Sequence, residues 1–434
     1  MSQYRAYPAY KDSGVEWIGQ VPEHWKVARV KRLASLRNER RNDVSTDTIY
    51  IGLEDVEAGS GQYKPTNGSS RQSEDSTVGI FYEGDVLYGK LRPYLRKAII
   101  SEMAGCCSTE FLVLRAEKTE PRWLQEWLLT PDVTHQIVSG CEGAKMPRAD
   151  WGHIGSIEVV YPDQPEQAKI LTSLDRETAR IDALIEKKTR FIELLNEKRQ
   201  ALITHAVTKG LDPNVKMKDS GIEWIGQVPE HWEVKPFKYI LSAPMSYGAN
   251  ESAESDDPNH PRYIRITDLT ENGILREDTF KTLPWDKAYS YLLSDGDILL
   301  ARSGATVGKS FLYRETNGAA CFAGYLIKAS CDEEKALPKY IYAYLQSHSY
   351  WEYISGSNIQ STIQNVSAEK YSSMVLPVPQ REEQATIVAT LDRETARIDA
   401  LISKAEQSIT LLKERRAAFI TAAVTGQIDL RGKQ

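Results

Sequence analysis

The chain contains the same plan twice, and this repeat constrains its fold more than any other feature. Residues 11–27 read KDSGVEWIGQVPEHWKV and residues 218–234 read KDSGIEWIGQVPEHWEV, identical at fifteen of seventeen positions. LDRETARIDALI occupies 174–185 and recurs unchanged at 391–402. The likeness continues more loosely from FIELLNEKRQALITHAVT at 191–208 to SITLLKERRAAFITAAVT at 408–425. Self-similarity at a fixed period marks a supersecondary plan used more than once. The 434 residues therefore form two tandem units of about 210 residues, each running motif, diverged body, helix.

The two bodies share an outline. Tyr50-Ile51-Gly52-Leu53 stands where Tyr263-Ile264-Arg265-Ile266 stands in the second unit, and Gly84-Asp85-Val86-Leu87 where Gly296-Asp297-Ile298-Leu299 stands. Short β-branched and aromatic runs broken by Gly, Asn and Asp predict strands and turns. Amphipathic stretches at Arg122–Leu129 and Lys339–Gln346 predict one short helix in each. Both bodies read as α+β.

From about Pro165 to Thr208 no Gly or Pro interrupts the chain. Steps of three and four from Leu171 pass through Leu174, Thr178, Ile181, Ile185, Lys188, Ile192, Leu195, Arg199 and Leu202, seven apolar of ten. The second unit gives Val388, Leu391, Thr395, Ile398, Ile402, Ala405, Ile409, Leu412, Arg416 and Phe419, eight apolar of ten. This is a heptad seam, and its polar interruptions, Thr178 with Thr395 and Arg199 with Arg416, suit residues that set register. A helix of 35–40 residues runs about 50–60 Å, longer than one small body. The expected arrangement is an antiparallel coiled coil of the two helices with one body near each end; packing of each helix on its own body is the simpler alternative. The expected segments are 1–161 and 210–378 for the bodies, 162–209 for the first helix, and 379–434 for the second with its tail.

Composition narrows the function. With 41% hydrophobic and 26% charged residues the chain is an ordinary globular one, and no apolar run is long enough for a bilayer. Its opening residues, MSQYRAYPAYKDSG, have no apolar core for export. Five irregularly spaced cysteines (Cys106, Cys107, Cys141, Cys321, Cys331) fit reduced thiols, so a cytoplasmic location is expected. The seven histidines include no H-E-x-x-H pair. There is no G-x-G cofactor loop and no NPP-type methylation motif, so no catalytic centre is expected. The net charge of −6 means that any nucleic-acid contact must come from local patches.

IGQVPEHW at 18–25 and 225–232, GDVL and GDIL at 84–87 and 296–299, and PDQPEQAKI and PQREEQATI at 162–170 and 379–387 occur in this order in both units. In that order and spacing the chain resembles, over nearly its whole length, the specificity subunits of type I restriction–modification systems. The resemblance implies a pseudo-two-fold tandem repeat of two target recognition domains, each reading one half of a bipartite, asymmetric site in double-stranded DNA. It implies an antiparallel coiled coil that sets the spacer and docks two methyltransferase subunits. S-adenosylmethionine, and ATP with Mg, are then expected in partner subunits, the latter in a restriction/translocase subunit, and no cofactor in this chain. An architectural adaptor that joins protein partners without reading DNA is the rival reading.

Candidate DNA contacts follow from residue type. The hairpin GDVLYGKLRPYLRK at 84–97 interleaves Lys90, Arg92, Arg96 and Lys97 with Tyr88 and Tyr94. Such a set suits phosphate contacts and groove packing, or equally a charge-guarded sheet edge. SGATVGKS at 303–310 imitates a P-loop, but its first glycine position holds Ser303 and strands are predicted on both sides. A P-loop must open a helix, so a hairpin carrying Arg302 and Lys309 is expected. The loops at 140–150 and 355–365 offer Lys145 and Arg148, and Asn358, Gln360, Thr362 and Gln364. These side chains fit base edges or plain solvated loops. Trp17, Trp25, Trp224 and Trp232 are expected to pack, with a partner-facing role open for Trp17 and Trp224. Asp175, Glu177 and Asp182 read as surface ion pairs or a docking face.

Overall fold

A computed structural model describes residues 5–45, 47–65, 77–141, 143, 145–270, 274–357 and 365–432. It divides into two compact units, residues 1–188 with 407–434, and residues 189–406. No helix among the described residues is long and apolar enough to cross a membrane.

The uninterrupted heptad stretches form helices Gln164–Lys209 and Arg381–Val424. All twenty seam residues are buried or half-buried. Within the first unit Ser173 donates to Leu430 O (3.3 Å) and Arg416 to Asp182 (2.9 Å), so the partner's number falls as the first helix advances and the segments run antiparallel. Within the second unit Arg199 meets Asp399 at 3.2 Å, and further along Ile203 and Val207 share a core with Ile387 and Leu391, again antiparallel. The four recurring polar seam positions are satisfied. Thr178 and Thr395 turn their hydroxyls back onto Leu174 O and Leu391 O, at 2.8 and 2.7 Å. Each arginine takes an aspartate of the opposite helix, and Asp182 and Asp399 are the same position of the LDRETARIDALI repeat. Asp182 thus makes an ion pair across the seam.

Each body contains a four-stranded sheet of one plan. In the first the order is Ala34–Leu36, Phe111–Ala116, Val86–Gly89, Ala98–Ile100; in the second it is Ser246–Tyr247, Leu326–Ala329, Ile298–Ala301, Ser310–Leu312. The Gly-Asp motif starts the inner hairpin for a local reason. Gly84 and Gly296 have φ of 82° and 89°, a region that favours glycine. The buried carboxylates of Asp85 and Asp297 accept from Tyr82 N (2.9 Å) and Ser294 N (2.8 Å), closing the turn. Asp85 also accepts from Arg37 at 2.8 Å, which raises the guanidinium's pKa. The predicted short helices are Pro121–Leu128 and Pro338–Tyr344, each with proline in its first turn.

The most similar parts of the two units are joints. Trp25 and Trp232 are buried, the former in a core with Ile170, Leu174 and Phe419, the latter in one with Val207, Tyr340 and Ile387. His24 and His231 meet Glu166 and Glu383, which begin the long helices, at 2.7 and 2.8 Å. The next residue of each helix, Gln167 or Gln384, is fully buried. Their carboxamides accept from Glu120 N (3.0 Å) and Leu337 N (2.8 Å), the backbone just before each short helix. Motif, helix and body are fastened by hydrogen bonds that need these residue types.

Candidate nucleic-acid interface

In the first body the inner hairpin leads into a loop whose backbone is strained. Arg92 and Arg96 adopt left-handed φ of 52° and 50° around the short turn Pro93–Leu95. Non-glycine residues pay for this conformation and hold it only where surroundings enforce it. The enforcement is a clamp. Lys90 N donates to Glu110 O (2.9 Å), Ala149 N to Lys90 O (2.9 Å), and Arg92 N to Pro147 O (2.8 Å), with a bridge between Leu91 and Arg148. The hairpin 84–97 and the loop 140–150, far apart in sequence, thus form one surface. It carries Lys90, exposed Arg92, Lys145 and Arg148, and Tyr94 with 50% of its surface exposed. Arg148 forks onto Glu110 through Nε (3.1 Å) and Nη2 (3.2 Å), and that carboxylate raises its pKa. Two members of the basic set turn elsewhere. Lys97 Nζ donates to Leu53 O at 2.7 Å, and Arg96 Nη1 to Leu129 O at 3.4 Å.

The second body repeats the clamp. Arg302 N donates to Tyr325 O (3.1 Å) and Val366 N to Arg302 O (2.8 Å), and Ser303 bridges Asn365. The sheet registers match, Phe111 opposite Gly89 and Leu326 opposite Ala301. Lys90 therefore corresponds to Arg302, Glu110 to Tyr325, and Arg148 to Asn365. The frame is common and the side chains are not. Arg302 lies 4.7 Å over the Tyr247 ring. Tyr325 is 64% exposed, Asn365 is exposed, and Lys309 is half-buried in the other arm of the hairpin. Gln360, Thr362, Asn358 and Gln364 lie outside the described residues. The P-loop imitation is a hairpin, as predicted: a single 3-10 turn at Gly304–Thr306 leads into strand Ser310–Leu312, and no α-helix opens there to present amides to phosphate.

Sequence reasoning passed over Glu110, Tyr325 and Asn365. The first two each immediately precede the matching strand of their unit and differ in residue type. That coincidence of position and divergence was the available signal.

The type I restriction modification DNA specificity domain matches residues 229–411. Over 205 residues the chain is 22% identical to the EcoDI specificity subunit of Escherichia coli, covering 46% of each chain. Over 316 residues it is 23% identical to the MjaVIII specificity subunit of Methanocaldococcus jannaschii, covering 68% of each. The chain is thus similar in sequence to type I specificity subunits, and residues 229–411 match their DNA specificity domain. A chain from a solved type I restriction–modification system superposes with a TM-score of 0.71 at 17% identity, covering 95% of this chain and 99% of that one. That superposition shows a shared fold for the two bodies and long helices. The match to EcoDI spans less than half of that relative's length. The domain match begins in the second IGQVPEHW copy and ends within the second long helix. It contains the Arg302, Tyr325 and Asn365 clamp.

Proposed function

We propose that this chain is the DNA-reading subunit of a type I restriction–modification assembly and contributes no catalytic group to it. Each body reads one half of a bipartite duplex site, the paired helices set the gap between halves, and methyltransferase subunits dock on the chain and carry S-adenosylmethionine. The repeated clamp carries this reading. Two bodies hold three distant segments in one backbone frame and vary the side chains on it, as a reader of two different half-sites requires. Basic side chains beside an exposed aromatic suit a duplex surface, where phosphate contacts position and base contacts specify. Because the whole chain carries −6, attraction to DNA is confined to such patches, and affinity is expected to rise once partners complete the complex.

The test is a body exchange. Residues 28–161 are replaced by the equivalent body of another family member, the chain is assembled with its methyltransferase partners, and methylated sites are mapped. One half-site is expected to change while the other half and the gap stay the same. Methylation without sequence preference in the parent assembly would leave the chain an adaptor.

A further inference from the structure

Glu110 is a carboxylate set among the cations of the first clamp, and stability does not explain it. Its side chain is 26% exposed and that of Arg148 53%, and an ion pair so open to water adds little to a fold. On a surface approached by phosphates, a negative charge weakens attraction. The carboxylate instead matches a hydrogen-bond donor on the DNA, and in the major groove the amino groups of adenine N6 and cytosine N4 are those donors.

The geometry fits that use. Arg148 binds side-on, Nε to Oε2 and Nη2 to Oε1, so this fork does not engage Nη1, and each carboxylate oxygen keeps a lone pair. The joined side chains present an acceptor edge beside a donor edge. Adenine offers the complement in N6–H and N7, and a cytosine–guanine pair in N4–H and O6. The fork also fixes the Glu110 side chain before DNA arrives, while the backbone bond from Lys90 N to Glu110 O anchors its main chain.

We propose that the Glu110–Arg148 pair is a base-reading unit of the first body, with Glu110 accepting from the exocyclic amino group of an adenine or cytosine in the major groove. Tyr325 and Asn365 hold the corresponding positions of the second body. An amide and a phenol there are chemically unlike a carboxylate and a guanidinium, so the two frames read different bases. This assignment rests on the DNA-reading function proposed above.

The experiment uses the full chain assembled with its methyltransferase partners and a pool of duplexes randomised across both half-sites, with methylated molecules recovered and sequenced. Glu110→Gln keeps the shape and removes the charge and one acceptor. It is expected to lower discrimination by about tenfold or more at one position of one half-site, the lost base distinguishing adenine from cytosine. Arg148→Gln is expected to relax the same or the neighbouring position. The other half-site should remain as in the parent, which also reports that the variant is folded. Unchanged preference at every position in Glu110→Gln overturns the assignment. So does a uniform fall in methylation with every preference retained, since Glu110 would then only hold Arg148. A parent assembly with no sequence preference would overturn the DNA-reading function itself, a result distinguishable from the other two.

Discussion

The pairing of Arg416 with Asp182 should contribute measurably to the fold, and more than its repeat counterpart, Arg199 with Asp399. The Arg416 side chain is 18% exposed and Asp182 42%, joined at 2.9 and 3.3 Å, whereas Arg199 and Asp399 are 35% and 51% exposed at 3.2 Å. A sheltered hydrogen bond to a charged group contributes about 1.5–3 kcal/mol, and an exposed ion pair about 0–1. The first pair lies between these regimes, so we expect a coupling of about 1–1.5 kcal/mol, and under about 0.5 for the second. The singles should be unequal. Arg416 also faces buried Glu126, whose pKa is raised by burial and pulled back by Arg122 and Arg416. Arg416→Met removes support from two carboxylates and should cost more than Asp182→Asn. The assay is a double-mutant cycle with Arg416→Met and Asp182→Asn on the full chain, followed by thermal unfolding of the first unit. A loss of about 1 kcal/mol lowers the midpoint by roughly 2–4 °C for a unit of this size. A coupling near zero, or one larger at Arg199–Asp399, would refute the argument that shelter from solvent sets the strength of these pairs.

Replacing Arg92 by Ala should lower the steepness of the salt dependence of DNA binding by about one phosphate contact, roughly 0.9 in the log–log slope. Lys97→Ala should leave that slope unchanged, because its ammonium is held by Leu53 O; a salt titration of the assembled chain distinguishes the two. Inserting one heptad at matching positions of both long helices should lengthen the gap between half-sites by about 10 Å, or three base pairs, and a methylation map reads the gap directly. Gly84→Ala and Gly296→Ala should each cost about 1–3 kcal/mol through their left-handed backbones. The second should cost more in denaturant unfolding, because its new Cβ would also meet Pro338 at 3.1 Å whereas nothing lies within 4 Å of the first. Arg431 holds Asp429 below its ordinary pKa of 3.8. The folded value being the lower one, this contribution is present above about pH 4 and lost as pH falls further, and Asp429→Asn should flatten the acid limb of a stability profile.

Repeat, periodicity and turn chemistry were legible in the sequence because each is local. The heptad steps follow from the geometry of one helix, and the full or partial burial of all twenty seam positions follows from them. The Gly-Asp motif announces its turn because a left-handed glycine and a capping carboxylate act within three residues. The polar seam positions were also visible, but their partners were not: Arg416 reaches Asp182 across 234 residues of chain, and no local rule names that aspartate. The interface was still less legible. Basic residues of the 84–97 hairpin and the 140–150 loop stood out by type, yet type does not distinguish Arg92, which is exposed, from Lys97, which is tied to a carbonyl. What makes a surface of Lys90, Glu110 and Arg148 is a set of backbone hydrogen bonds between three distant segments. The sequence by itself determined two bodies on two long helices, because hydrophobic period and repeat are properties of neighbouring residues. Which side chains share a face was decided only in the tertiary structure, because that depends on sheet register and on loops meeting across more than fifty residues.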